Sequence, residues 1–254
     1  MSNLTKRHQH ILDKLKKEGN IKVLDLCAEL DVSSVTIRKD LKLLEDKNLL
    51  FRTHGGGTLS NPYTVDRSVN EKEKIRAGEK SSIGLAAARM IQSNDSIIIA
   101  SGTTVLNLAK NIRPQESLTV ITAALNVAIE LIHHPQIEVI QLGGILRKSS
   151  SSVTGIYAEK VLEDFSCSKL FLGVDGIDVE FGLTTTNMME AQLNRKMIEA
   201  AQKTIVLADS SKFGKRGFGK ICGLEDIEQI ITDKGISDHM AKTLMGMGIE
   251  VTIV

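Results

Sequence analysis

The 254-residue chain contains no tryptophan, two tyrosines, three prolines and three cysteines. Cys27, Cys167 and Cys222 lie far apart and form no CxxC or Cys/His cluster. Three scattered thiols exclude a disulfide framework, argue against a metal site and point to a reducing compartment. Long apolar runs are also missing: none approaches the roughly 18 residues that a membrane span needs. The first residues are polar and charged, unlike an export signal. These absences predict a soluble cytoplasmic protein with no membrane partner, no metal and no cofactor. Strong net charge is lacking too. Lys and Arg number 32 against 31 Asp and Glu, for a formal charge of +1, so there is no bulk cationic coat for nucleic acid. The charge is unevenly spread, with 11 cations against 8 anions in residues 1–60 and 21 against 23 in the rest.

Placement therefore matters more than quantity, and one stretch stands out. Residues 21–44, IKVLDLCAELDVSSVTIRKDLKLL, read as two short helices joined by a tight turn. Val23, Leu24, Leu26, Cys27 and Leu30 supply an apolar face, and Asp31-Val32 the turn. Ser33 stands at the N-cap of the second helix. Val35 falls in its first turn, and Ile37, Leu41 and Leu44 recur at four- and three-residue spacing, burying one face. The other face carries Ser34, Thr36, Arg38, Lys39 and Lys42, hydroxyls first and cations after. That order suits a DNA major groove, with hydroxyls and Arg38 at base edges and lysines on phosphates. Periodicity alone also fits an αα-hairpin with a solvated charged face.

The next ten residues favour the groove reading. Residues 49–53 (LLFRT) alternate weakly as a strand, His54-Gly55-Gly56-Gly57 is a turn, and Thr58-Leu59 can return antiparallel. A helix over residues 4–15, with Ile11, Leu12 and Leu15 inward, completes a three-helix core. The whole reads as a winged helix over residues 1–59, its helix-turn-helix at about 20–39, with Arg52 and His54 at the wing. TIRKDL (Thr36–Leu41) and RTHGGG (Arg52–Gly57) resemble the signature of the DeoR family of bacterial sugar-metabolism regulators. Lys39 stands where that family usually has arginine, and Asn48 where it often has glycine. Lysine is the poorer bidentate base reader.

Residues 60–78 contain a proline, many charges and few apolar side chains, as expected of a linker that becomes helical towards Ile83. The run Glu71–Lys74 reads as solvated surface. From residue 79 on, apolar strands at 96–100, 118–122, 138–142, 169–177 (a strand and turn), 204–208, 229–232 and 251–254 alternate with helices at 81–91, 105–111, 125–133, 188–201 and 237–247. This pattern predicts an open, largely parallel α/β sheet over residues 79–254. Such sheets bind ligands beyond the carboxyl ends of their strands.

Several of those ends are polar. Ser101-Gly102-Thr103-Thr104 puts a flexible glycine and three hydroxyls at a helix N-terminus, which suits a phosphate but also occurs as a simple cap. Gly143-Gly144 precede Arg147 and Lys148, and read equally as an ordinary turn. Asp175-Gly176 and Asp209–Lys212 end two further strands. Thr184–Thr186 and Glu190 fall at or near a helix start, where Glu190 also fits a first-turn carboxylate that favours the dipole. Four polar ends on one edge point to a ligand site.

SGTT, the GVDGI–GLTT pair and DSSKFG resemble the effector domain of the DeoR family, itself similar to ribose-5-phosphate isomerase. The resemblance covers nearly the whole chain. It implies a DNA-binding repressor of a carbohydrate operon, released by a phosphorylated sugar or polyol. The Ser101–Thr104 loop would meet the phosphate, with Asp175, Glu190 and Lys212 towards hydroxyls; Thr122, Gly143, Gly144, Arg147, Gly176 and Thr184 complete the candidate set. The family usually has aspartate where this chain has Ala100, and Thr-Asn where it has Thr122-Ala123, so two polar groups are gone. An isomerase with a DNA-binding appendage is a second reading, with Glu190, Asp175 or Asp178 as base. A regulator answering another metabolite or a protein partner is a third. One winged helix covers too few base pairs for typical operator affinity, so a homo-oligomer on operator DNA is expected.

Overall fold

A computed structural model describes residues 4–47, 49–53, 55–59, 68–114 and 116–254. The chain divides into two compact units, Met1–Val65 and Asp66–Val254.

In the first unit, α1 (Lys6–Glu18) opens on a capping box: Thr5 Oγ1 accepts from the His8 N–H, and His8 Nδ1 accepts from the Thr5 N–H. Gly19, at φ 73°, ends the helix. β1 (Asn20–Lys22), α2 (Val23–Leu30), α3 (Ser34–Asp46), β2 (Phe51–Thr53) and β3 (Gly56–Thr58) come next. Asp31 turns the chain in the left-handed region, and the Ser33 hydroxyl accepts the Thr36 N–H at 3.2 Å. That cap contributes about 1 kcal/mol. Ile11, Leu15, Leu26, Ile37, Leu41 and Leu44 meet in one core. The three strands form an antiparallel sheet in the order β1–β3–β2.

Two expectations change here. Ile21 is extended, not helical, because its main chain pairs with Gly57 and its side chain is buried there. Leu24 is 77% exposed, since Val23 and Leu26, three apart, already set the inward face of α2. Asn48 and His54 lie outside the described residues.

The second unit opens with α4 (Val69–Glu73) and α5 (Ala77–Ala88). Residues 60–67 of the expected linker lie outside the described residues; α4 and the start of α5 occupy most of the remainder. Then come β4 (Ser96–Ile99), α6 (Thr103–Asn111), β5 (Leu118–Thr122), α7 (Leu125–Leu131) and β6 (Ile137–Gln141). A hairpin, β7 (Ile145–Arg147) and β8 (Ser152–Thr154), leads into α8 (Ile156–Leu162). After it stand β9 (Lys169–Gly173), β10 (Gly176–Asp178), β11 (Gly182–Thr185), α9 (Met188–Glu199), β12 (Thr204–Leu207) and β13 (Gly219–Cys222). β14 (Gln229–Thr232), α10 (Asp238–Gly246) and β15 (Glu250–Ile253) close the chain.

Seven strands form one parallel sheet in the order β15–β14–β12–β9–β4–β5–β6. Ile97, Ile98 and Ile99 are fully buried, and alternate residues enter two clusters, one on each face. Burial on both faces explains why these strands read as unbroken apolar runs. Gly84 lets α5 approach α6, since a β-carbon there would lie 2.6 Å from the Asn107 carbonyl carbon. The short antiparallel strands β7, β8, β11 and β13 and the helix α8 were not expected. Serine, threonine and glycine dominate β8 and β11, whose composition is that of loops, and all four strands are only three or four residues long.

Candidate effector site and nucleic-acid surface

On the first unit, α3 turns Arg38, Lys39 and Lys42 to solvent and holds Ser34 and Thr36 half-buried. Ser33 is exposed, but its hydroxyl is engaged by the Thr36 N–H and hydroxyl. Val35 is 58% exposed beside them. It belongs to the outer face of α3. Arg52 is tied to α3: its N–H donates to Glu45 Oε1 at 2.9 Å, and its guanidinium stands 4.0 Å from Oε2.

The inward face of α3 carries one carboxylate, Asp40, which is buried. Arg7 Nε and Nη2 donate to its two oxygens at 2.5 and 3.0 Å, and His8 Nε2 lies 3.1 Å from Oδ1. His8 Nδ1 accepts from Thr5, so the ring proton is on Nε2 and is donated to Asp40. Burial would raise the Asp40 carboxyl, but hydrogen bonds from Arg7 and His8 hold it below the usual carboxylate range. The network joins the start of α1 to the middle of α3.

In the second unit, the carboxyl ends of neighbouring strands β4, β9 and β12 lead into Ser101, Asp175 and Asp209. Gly102 (φ 132°) turns the chain into α6, whose N-terminus has no side-chain cap. Its first amides and positive dipole end sit beside the buried hydroxyl-bearing residues Ser101, Thr103 and Thr104. Ser101 Oγ donates to Glu190 Oε1 at 2.8 Å, and Arg147 pairs with Oε2. Asp175 is more crowded still. Oδ1 accepts from Lys72 at 2.9 Å and lies 3.6 Å from Lys212, while Oδ2 accepts from Thr185 at 3.1 Å.

Burial would raise both carboxyls. For Asp175, Lys72 and Lys212 reverse the sign and hold it far below the ordinary range. For Glu190, burial and the charge of Asp175 prevail over Ser101 and Arg147, and the carboxyl is raised. Lys80, buried on α5, donates to the Lys72 carbonyl. Burial, with Lys212 and Lys72, pushes its ammonium down to about 8 against the pull of Asp209. Arg76, left-handed at φ 52°, is held by Ser210 at 3.0 Å, Asp209 at 3.7 Å and Asp233 at 3.8 Å.

Ser101, Asp175, Glu190, Arg147 and Lys212 therefore converge as the sequence suggests, but other expected residues do not present groups to this site. The buried Thr122 hydroxyl donates to the Ile99 carbonyl and accepts the Ala124 N–H. Thr184 lies within β11, not at a helix start, and its hydroxyl is spent on Gly176 and Gly217. Gly176 allows the Lys215 carbonyl to approach, and Gly144 (φ 148°) the Thr154 carbonyl. Gly143 is exposed beyond β6, at the edge of the sheet. Ala100 and Ala123 join the buried core. Lys72 and Lys80 were missed. Glu71–Lys74 looks like a solvated charge run, yet Lys72 turns inward because Asp175 is there to receive it. Among the described residues no three potential metal-binding side chains cluster, and no helix is long and apolar enough to cross a membrane.

Residues 7–62 match the model of the DeoR-like helix-turn-helix domain, and residues 75–234 that of the DeoR C terminal sensor domain. The chain belongs to the DeoR family of transcriptional regulators. It is 37% identical, over all of its length and 95% of the relative's, to a putative aga operon transcriptional repressor of Escherichia coli O157:H7. With the HTH-type transcriptional repressor GlcR of Bacillus subtilis it shares 34% identity, covering 96% of this chain and 93% of GlcR. A ribose 5-phosphate isomerase A from Methanocaldococcus jannaschii is similar at TM-score 0.39 and 12% identity, over 53% of each chain.

Proposed function

We propose that this DeoR-family regulator represses a carbohydrate-utilisation operon and is released by a phosphorylated sugar or polyol. The observation that carries the reading is the uncapped N-terminus of α6 behind Ser101, on the sheet edge where Lys72, Lys80 and Lys212 gather. An anion gains there from free amides, hydroxyls and lysines together. Asp175 and Glu190 offer acceptors to sugar hydroxyls. Asp175, held charged by two lysines, is a poor proton acceptor, which removes one of the isomerase's three candidate bases. The name of one relative, a putative aga operon transcriptional repressor, supports repression of an operon.

Phosphorylated sugars should raise the melting temperature where the free sugars do not, by an amount that grows with concentration. Thr103→Glu places a carboxylate where the phosphate belongs and should abolish the shift. Turnover of any of these compounds would favour the isomerase. A shift from another metabolite alone, or from none, would transfer the role to a different ligand or to a protein partner.

Because Lys80 titrates near 8, against an ordinary 10.5, an anion that relies on its charge should bind more weakly as pH rises through 8. Its depression acts in the opposite sense on the free protein, whose stability should fall as pH drops from 10.5 through 8. Affinity titrations at pH 7.5 and 9 check the first effect. Lys80→Met should remove most of it, and a wild-type affinity that is flat across this range would count against the assignment.

Arg38→Ala should weaken specific operator binding by about 1–3 kcal/mol without affecting folding, because the side chain is solvent-exposed. Lys42→Ala should weaken all DNA binding alike and reduce the salt slope by about one. Anisotropy titrations on operator and random duplex separate the two. A pair of winged helices on repeated half-sites would supply the missing base contacts. Ile145, Leu146, Ile156 and Tyr157, all exposed on β7 and α8, offer an apolar surface for assembly.

A further inference from the structure

α4 is the first described helix beyond the unit boundary at Val65; three contacts tie it towards the candidate site, and a fourth, the exposed and therefore weak pair of Glu73 with Lys110 on α6 at 2.9 Å, does not. The Val69 N–H donates to the Ser149 carbonyl at 2.6 Å, Lys72 Nζ reaches Asp175, and Lys80 Nζ holds the Lys72 carbonyl. A five-residue helix has almost no stability of its own, so these contacts, with the buried Val69 side chain, set its position. The Ser149, Asp175 and Lys80 contacts lead to the candidate effector site. Ser149 Oγ accepts from Arg147, Arg147 pairs with Glu190, and Glu190 holds Ser101 at the entrance to α6. Both oxygens of Asp175 are already engaged, by Lys72 and Lys212 on one side and Thr185 on the other. A ligand hydroxyl that takes Oδ1 competes with the Lys72 ammonium. That ammonium is a mobile point charge on a flexible stem, drawn to any anion bound at α6.

We propose that Lys72 contacts the effector: its ammonium leaves Asp175 for the ligand's anionic group, a ligand hydroxyl takes its place on Oδ1, and α4 loosens from its seat. The inference rests on the sensor reading above and names the residue that converts occupancy into movement next to the DNA-binding unit in sequence. Arg76 and Lys212 stay with Asp209, Asp233 and Asp175, so the start of α5 keeps its place while α4 moves.

Hydrogen exchange on the full chain tests this, read over peptides spanning residues 68–75. Without ligand, Lys72→Met should speed exchange there about fivefold or more, while Lys72→Arg should stay within about twofold of wild type. Inorganic phosphate, ribose phosphate, fructose phosphate and glycerol phosphate are then added in turn. A compound that raises the wild-type melting temperature should also speed exchange over 68–75 by a similar factor, and should bind Lys72→Met at least about tenfold more weakly. Wild-type exchange over 68–75 in ligand-free Lys72→Met overturns the clamp. A melting shift without faster exchange, or with undiminished binding to Lys72→Met, overturns the switch. No melting shift from any probe refutes the sensor reading and the switch with it, while the ligand-free comparison still decides the clamp.

Discussion

Gly56→Ala should unfold the wing and abolish operator binding, whereas Gly55→Ala should be nearly silent. A β-carbon on Gly56 would fall 1.7 Å from the Ile21 carbonyl oxygen and 2.7 Å from its carbon. Both are backbone atoms of β1, so no side-chain rotation relieves the clash. The strands must separate, and with them the pairings of Lys22 with Gly56 and Thr53 with Gly56. Overpacking against soft side chains costs about 1–3 kcal/mol, and a collision with fixed backbone should exceed that range. Nothing lies within 4 Å of a β-carbon on Gly55, so its substitution should stay within about 0.5 kcal/mol. Calorimetry of the two variants checks the contrast: an early-melting first unit in one, a wild-type profile in the other. Equal profiles would mean that the wing sheet is wrongly paired.

Asp40→Ala should destabilise the first unit by about 2–4 kcal/mol and weaken operator binding further than the lost stability explains. Removing the carboxylate leaves the buried His8 donor unsatisfied and Arg7 without its bidentate partner. Arg7 retains access to water, which keeps the cost below that of a fully enclosed pair. The same bonds set how α3 lies against α1, so its DNA-facing side chains should lose their register. Asp40→Asn retains one acceptor and should fall between. Denaturant melts and operator titrations at a temperature where every variant is folded separate the two effects. Wild-type affinity in folded Asp40→Ala would reduce the network to a stability element alone.

Much of this was legible in the sequence because period and composition agreed. Ile37, Leu41 and Leu44 mark the inner face of α3, Ser33 caps it, and the all-apolar strands announce a parallel sheet buried on both faces. Ser101, Asp175, Glu190, Arg147 and Lys212 are singled out by their places at or near strand ends, where such sheets bind ligands, and the fold brings them together. What escaped depends on distant partners. HGGG reads as a turn, but only the approach of β1 distinguishes Gly56 from Gly55. Lys72 looks solvated until Asp175, 103 residues away in the chain, gives it a reason to turn inward. Asp40 reads as one charge among several on a cationic helix, and its burial depends on Arg7 and His8. Thr122 and Thr184 have the composition of ligand contacts, yet their hydroxyls satisfy neighbouring backbone, a choice that local sequence does not encode.

The most direct measurement is operator affinity of the full chain, at fixed salt, titrated with phosphorylated sugars and polyols and with their free counterparts. At least one phosphorylated compound should weaken binding about 5- to 150-fold, a coupling of about 1–3 kcal/mol, and operator should weaken its binding by the same factor. Thr103→Glu should bind operator as wild type does and ignore the compound. Operator affinity unmoved by the whole panel, or moved equally in Thr103→Glu, would contradict the account.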